Sequence, residues 1–419
     1  RAIDFIRRCT PFLVVILACF IYVSLPRSAY YPPTGISGHS DPGYEHLKEL
    51  FKNVSKEERG GIAMVLMKRG QIVVDQWAGY ADPTANQRWK RDTLAVAFST
   101  TKIFVSIIFT LLQRENRFNY NDKVSKFWPE FASNGKDNVT ILDILDHKAG
   151  LLRFSREFSL EDSLDQELMG RIIEQTVPQW TPGEKMGYSG VAYGYLIDQM
   201  VMRLDRKKRT ACEFFNQEIK PHSKDPNFYI GLPDDENHRV ARVTNPSLLA
   251  SAKAHLSRPI NYLTIMYNFF SNDMLAEYSA KYPAFLDLMS PSVVPSNSPV
   301  VRSLPLISSN GIGTARAMAE AIMAVSRLLT REEKERMMIP IGQDYDFVLS
   351  KTRIFGRGVS YIRHPNQDDR YIVSFWGNGL QMVAWDPIKE TVFVVFRNGL
   401  KAGDNGVEEM NQMLKEAFH

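Results

Sequence analysis

A serine and a lysine stand three residues apart in Ser99-Thr100-Thr101-Lys102, at the head of the apolar run Ile103-Phe104-Val105. Residues i and i+3 share one face of a helix, so the lysine amine can lie beside the serine hydroxyl. A serine is a weak nucleophile until a base takes its proton, and an amine with a lowered pKa can be that base. The start of a helix adds free N–H groups and a partial positive charge, which suit a developing oxyanion. The chemistry implied is acyl transfer through Ser99. On spacing alone a second reading stands beside it: Ser99 as the N-cap of a helix from Thr100 to Arg114. Another Ser-x-x-Lys, Ser133 to Lys136, lies in a polar stretch with no apolar run after it.

Other chemistries find little footing. The 8 histidines contain no His-Glu-x-x-His and no close pairs, so no metal is expected. His147 follows the run Ile141 to Leu145 and reads as a structural hydrogen-bonding residue. There is no Gly-x-Ser-x-Gly elbow, no P-loop and no dinucleotide fingerprint, so no cofactor is expected. The acidic pairs Asp234-Asp235 and Asp368-Asp369 read as solvated turns. The basic run Arg203 to Arg209 suits a helix C-terminus, and a net charge of +4 gives no reason to expect a nucleic-acid partner.

The elements that would position Ser99 follow from the pattern of apolar residues. Gly61 to Met67 and Gln71 to Tyr80, joined by Lys68-Arg69-Gly70, predict a β-hairpin. Strands are expected near Val359 to Arg363, Tyr371 to Phe375, Gln381 to Trp385 and Thr391 to Phe396, with Asp386-Pro387 turning between the last two. Gly406 to Phe418 has the period of an amphipathic helix that packs on a sheet. Between hairpin and C-terminal strands lies a helical region from Thr100 to about Leu329, including a helix from Val191 to Met202. Two strands, then helices, then strands predict an α+β layout. The 419 residues are 44% hydrophobic and 23% charged, enough for a large core.

Several segments recur in an order with a familiar look: Ser99-x-x-Lys102, Leu145-Asp146-His147-Lys148-Ala149-Gly150-Leu151, Trp180-Thr181-Pro182-Gly183, Tyr188-Ser189-Gly190, Ser309-Asn310-Gly311-Ile312-Gly313 and Gly377-Asn378-Gly379. Together they resemble the serine β-lactamase-like family of class C β-lactamases, related esterases and animal β-lactamase-like proteins, from about Leu47 to the C-terminus. The resemblance implies a β-lactamase/transpeptidase-like fold: an antiparallel sheet flanked by helices, beside an all-α lobe, with the site between them. It implies Ser99 as the acylated nucleophile, Lys102 as its activating partner and Tyr188 as a general base or proton shuttle. The family's Tyr-x-Asn here reads Tyr188-Ser189-Gly190, so an amide is lost at Gly190. The usual Lys/His-Thr/Ser-Gly aligns with Phe375-Trp376-Gly377, which keeps the glycine and loses cation and hydroxyl. Backbone N–H groups of Ser99 and about Asn378, at the Gly377 strand end, would form the oxyanion hole. From the residues alone, Tyr188 also reads as a core tyrosine, and Phe375 and Trp376 as core strand residues. The expected function is a serine hydrolase acting on an ester or amide of a small molecule or peptide. The alternative is a weakly active or inactive scaffold with a binding or assembly role, and self-association stays open.

The N-terminus carries a separate signal. Arg7 and Arg8 precede the uncharged run Cys9 to Pro26, and Arg27 closes it. The run is short against the ~20 apolar residues of a spanning helix, but Arg27-Ser28-Ala29 is a poor signal-peptidase site. Residues 1–28 are therefore expected as a single-pass membrane segment or signal anchor, 29–46 as a linker and 47–419 as the catalytic domain. The flanking arginines put that domain on the translocated side, in the secretory lumen, outside the cell or in the mitochondrial intermembrane space. Sequons at Asn53 and Asn138 would suit the secretory route. Of 3 cysteines, only Cys212 lies in the domain, so the fold rests on its core and not on disulfides.

Overall fold

The apolar runs of the sequence assemble into one large antiparallel sheet in the computed structural model, which describes residues 32 to 419 except 33, 59, 116, 247–293 and 404. Its strands are β1 (Ser37–Ser40), β2 (Gly61–Lys68), β3 (Gln71–Asp82), β4 (Gln87–Arg88) and, after β5 (Ala95–Phe98), β6 (Phe228–Ile230) and β7 (Gly311–Gly313) of a smaller sheet, β8 (Gly342–Asp346), β9 (Lys351–Gly356), β10 (Val359–His364), β11 (Gln367–Gly377), β12 (Gln381–Asp386) and β13 (Thr391–Arg397). The order is β1-β3-β2-β13-β12-β11-β10-β9-β8, with β4 beside β3. The expected hairpin β2–β3 thus joins the C-terminal strands through β13, with Val65 opposite both Val394 and Asp75. β12 and β13 are buried along their whole length, which is why they read as continuous apolar runs.

Both faces of the sheet are covered. On one lie α1 (Glu45–Lys56) and the C-terminal helix. Leu47 and Phe51 meet Met410 and Met413 there, over Met64, Leu66 and Val395. That C-terminal helix is α5 (Val407–Ala417); on the other face α4 (Ala315–Ser326) packs across β13 and β2, beside a helical region that includes α2 (Ile103–Gln113) and α3 (Ala192–Leu204). α2 is apolar on nearly every side and correspondingly buried, with Phe104 edge-on to Phe215 at 4.8 Å. Each fully buried aliphatic or phenyl side chain contributes roughly 1.5–3 kcal/mol, so this lobe has a deep core of its own.

Several expectations are revised. The helix expected at Thr100 opens as a 3-10 turn, Ser99–Lys102, before α2 begins. Thr100 Oγ1 donates to the Ala97 carbonyl at 2.7 Å and Thr101 Oγ1 to that of Phe98 at 2.6 Å, which holds the turn tight. α3 starts at Ala192 and runs on to Leu204. The region from Thr100 to Leu329 is interrupted by β6 and β7, which pair with β5 in the order β5-β7-β6. The stretch 29–46, expected as a linker, contributes β1 to the sheet.

The expected membrane-spanning helix and the membrane localisation built on it are corrected. Among the described residues no helix is long and apolar enough to cross a membrane. The apolar run Cys9 to Pro26, which carries that expectation, lies outside the described residues.

Candidate active site

Strand β5 delivers Ser99. The residue before it, Phe98, is buried with φ 48° and ψ −138°, a conformation that costs a bulky side chain roughly 1–3 kcal/mol. The bend is held from both sides: Thr101 Oγ1 donates to the Phe98 carbonyl and accepts the Gly311 N–H of β7 at 3.1 Å. Its result is to end the strand abruptly and leave Ser99 half-buried at the mouth of the helical lobe. The N-cap position belongs to Phe98 for the 3-10 turn and to Lys102 for α2, so the N-cap reading of Ser99 gives way. Its Oγ instead accepts from the Tyr188 hydroxyl at 2.6 Å.

Lys102 is completely buried, one turn below. Its Nζ lies 2.6 Å from the Ser308 carbonyl, 3.2 Å from that of Gly190 and 3.4 Å from Ser99 Oγ. Burial, seconded by the charge of Arg353, holds its pKa well below that of an ordinary lysine. A neutral amine has two N–H groups and one lone pair. The two carbonyls, which only accept, take the N–H groups, and the lone pair is left facing the Ser99 hydroxyl.

Tyr188 lies in the loop ahead of α3, and its N–H donates to Asp346 Oδ1 at 3.2 Å. Its ring lies 4.8 Å from the His147 ring and 5.4 Å from the Arg353 guanidinium, centre to centre. His147 is buried with φ 61°, and its Nδ1 accepts the Ser189 N–H at 3.3 Å, which fixes the neutral tautomer with the proton on Nε2. Burial, then the charges of Arg353 and Lys102, keep its pKa well below the usual value. The hydrogen bond expected of His147 is therefore present, and it orients the loop that carries Tyr188.

The third segment is also beside Ser99. The end of β11 runs along the Ser99 turn, and a Cβ at Gly377 would lie 2.8 Å from the Ala97 carbonyl. Only glycine lets the strand come this close. Asn378 is exposed in the turn that follows. Phe375 faces the helical lobe, its ring 6.0 Å from Lys102 Nζ, while Trp376 faces the opposite side of the sheet. The decoy is not brought in: Ser133 Oγ donates to the Glu174 carbonyl at 2.6 Å, and buried Lys136 donates to those of Glu174 and Thr176 at 2.9 and 2.6 Å. That pair anchors a loop.

Three residues near the site escaped the sequence reading: Ser308, Asp346 and Arg353. Ser308 contributes a backbone carbonyl, for which no residue type is diagnostic. Asp346 and Arg353 form a buried ion pair at 3.1 Å on β8 and β9, in a stretch that gives no strand signal. Asp146 directly precedes His147 in a segment already singled out. Among the described residues no group of three or more His, Cys, Asp or Glu side chains is placed to hold a metal ion.

Comparison with known proteins gives a consistent picture. The family model described as Beta-lactamase matches residues 47–416. The esterase/beta-lactamase LipL of Mycobacterium tuberculosis is 27% identical over 307 residues, which cover 71% of this chain and 68% of that protein. Penicillin-binding protein 4* of Bacillus subtilis is 25% identical over 155 residues, covering 36% of this chain and 34% of the relative. Among solved structures, a penicillin-binding protein homolog from Caulobacter crescentus superposes with a TM-score of 0.73 at 23% identity, covering 92% of this chain and 99% of that one. A family VIII carboxylesterase does so with a TM-score of 0.73 at 21% identity and the same coverage. At these identities the two structures speak to the fold: an antiparallel sheet with flanking helices, of the β-lactamase/transpeptidase type.

Proposed function

The chain belongs to the beta-lactamase family, and from that premise we propose that it is a serine acyl hydrolase that forms an acyl-enzyme on Ser99 and acts on uncharged esters or amides. One observation carries the reading: Ser99 Oγ lies between the Tyr188 hydroxyl at 2.6 Å and a buried Lys102 amine at 3.4 Å whose N–H groups are already engaged.

In acylation the Ser99 proton passes to the Lys102 lone pair as Oγ attacks the carbonyl carbon, and the oxyanion is held by the N–H groups of Ser99 and Asn378. Tyr188 gives its proton to the leaving oxygen or nitrogen. This leaves a phenolate at Tyr188 and an ammonium at Lys102. In deacylation a water attacks the acyl carbon and gives a proton to Tyr188, while Ser99 Oγ departs with the proton of Lys102. Both groups are then restored.

Substrate class follows from β11. Phe375 stands where a cation would meet a substrate carboxylate, and its ring is 3% exposed. An unpaired carboxylate there loses about 3 kcal/mol, or ~10² in affinity. The expected substrates are therefore neutral. That named relatives include an esterase supports acyl chemistry of this kind.

The test is labelling with a fluorophosphonate, followed by turnover of p-nitrophenyl butyrate and benzylpenicillin. Wild type and Ser133→Ala are expected to label and Ser99→Ala not to, with the ester preferred over the penicillin by at least ~10². Labelling of all three would move the nucleophile elsewhere. A wild type that is silent to both reagents would point to the scaffold role.

A further inference from the structure

A positive charge does reach the Ser99 cluster, from a polar strand that the apolar pattern leaves unmarked. Arg353 of β9 is 9% exposed. Its Nη1 lies 3.1 Å from Asp346 Oδ2 and its Nη2 donates to Ser360 Oγ at 2.6 Å. Ser360 belongs to β10, the strand between β9 and β11, and stands opposite Ser374, the neighbour of Phe375. The guanidinium thus spans from β9 over β10 to the face of the Tyr188 ring. Asp346 completes the clamp. Its Oδ1 accepts the N–H groups of Tyr188, Val348 and Leu349 at 3.2, 3.1 and 3.0 Å. One carboxylate therefore fixes both the backbone of Tyr188 and the cation over its ring.

A buried ion pair of this sort is a poor device for stability, because desolvating both charges offsets most of their attraction. Its value here is placement. We propose that Arg353 is a positioning residue of the Ser99 site: clamped by Asp346 and Ser360, it keeps a fixed positive charge beside Lys102 and holds Tyr188 against Ser99. The inference rests on the acyl-enzyme reading of that site.

The surroundings of Lys102 set the sign of the effect. Its Nζ is faced by the rings of Tyr188, Tyr193 and Phe375 at 4.9, 5.5 and 6.0 Å and by the carbonyls of Gly190 and Ser308. His147 is stacked between the two tyrosines and is neutral. Of the buried acids, Asp346 is paired with Arg353, and Asp146 feels the charge of Arg353 and itself acts on Tyr193. Arg353 is thus the charge that adds to burial in lowering the pKa of Lys102. Without it the amine holds its proton to higher pH.

The experiment compares wild type, Arg353→Gln, Arg353→Lys and Ser360→Ala by two readouts. One is the pH dependence of kcat/KM on p-nitrophenyl butyrate. The other is the titration of the Lys102 amine by carbon NMR in protein labelled at lysine Cε, assigned with Lys102→Ala. Arg353→Gln is expected to move the acid limb and the amine titration upward by about one pH unit, and Arg353→Lys by far less. Ser360→Ala, a mild change that only frees Nη2, is expected to move both in the same direction by a smaller step, and it decides the matter should Arg353→Gln not fold. Rates lowered evenly at every pH, with the limb and the titration unmoved, would overturn the proposal and leave Arg353 a structural residue. A wild type that fails to turn over esters while its Lys102 titration still follows Arg353 would instead sink the hydrolase reading alone.

Discussion

Lys102 is the residue on which the chemistry turns. Its three polar neighbours are two carbonyls and one hydroxyl, a set that satisfies a neutral amine and leaves an ammonium without a counter-charge. The folded state therefore favours the form that can act as base. Lys102→Ala removes the base, and Lys102→Arg replaces it with a group that stays protonated. Both are expected to lower the rate of Ser99 acylation by ~10²–10⁴, measured as the second-order rate of fluorophosphonate labelling. Because the lysine pKa is depressed, activity is expected to rise with pH through its folded value and then level off. An active Lys102→Arg would pass the base role to Tyr188. At this scale Ser99 and Lys102 were legible in the sequence because a helical i, i+3 spacing is a local property. Tyr188 needed the family resemblance, since 89 residues separate it from Ser99. Gly190 and Ser308 were not legible at all as lysine partners, because a backbone carbonyl has no signature.

Among the elements, the end of β11 does most to shape the site. Gly377 passes so close to the β5 end that an added Cβ would sit 2.8 Å from the Ala97 carbonyl and 2.9 Å from Gln381 Cβ. Neither neighbour is the flexible tip of a side chain, so Gly377→Ala must push the strand outward. Overpacking of this kind costs roughly 1–3 kcal/mol of stability. Its larger effect is expected on catalysis, where moving the Asn378 N–H away from the oxyanion lowers kcat by ~10² with little change in KM. Urea denaturation alongside steady-state kinetics separates the two effects. A variant that loses stability but keeps its kcat would remove Asn378 from the oxyanion hole. The strands of this half of the sheet were legible because β12 and β13 are apolar throughout and β10 and β11 are flanked by clear turns. β8 and β9 were not. Gly342-Gln343-Asp344-Tyr345-Asp346 is a polar edge strand, its alternation set by charged residues and not by a core face. That omission hid Asp346 and Arg353, and with them the charge at the site.

Across the whole molecule, the sheet and the helical lobe are joined by buried polar groups, and these give stability a pH dependence. Arg316 of α4 links Asp75 on β3 at 3.1 Å and Asp225 at 2.8 Å. Asp146 ties the helical lobe to the β9–β10 turn by accepting the Gly358 N–H at 2.9 Å, while its Oδ2 is buried without a partner. Burial pushes its pKa up to about 7, and does the same for Asp198, which accepts the Ala211 N–H at 2.9 Å. Both acids bind a proton more tightly folded than unfolded. Their contribution is therefore full below the unfolded value of 3.8 and is lost as pH rises toward 7. Surface carboxylates held low by partners, such as Asp122 and Asp344, act in the opposite sense in acid. Stability is expected to peak on the acid side of neutrality and to decline by pH 8. Asn keeps the oxygen that accepts from Gly358 and has no charge to desolvate. Asp146→Asn is thus expected to flatten the decline and to be more stable than wild type at pH 8, by on the order of 2 kcal/mol, with the advantage shrinking or reversing at pH 5. Urea melts at the two pH values measure this directly. An Asp146→Asn protein that is weaker than wild type by the same amount at both would mean that the folded carboxyl is ionised throughout, and that the lobe and the sheet are held there by a charged contact.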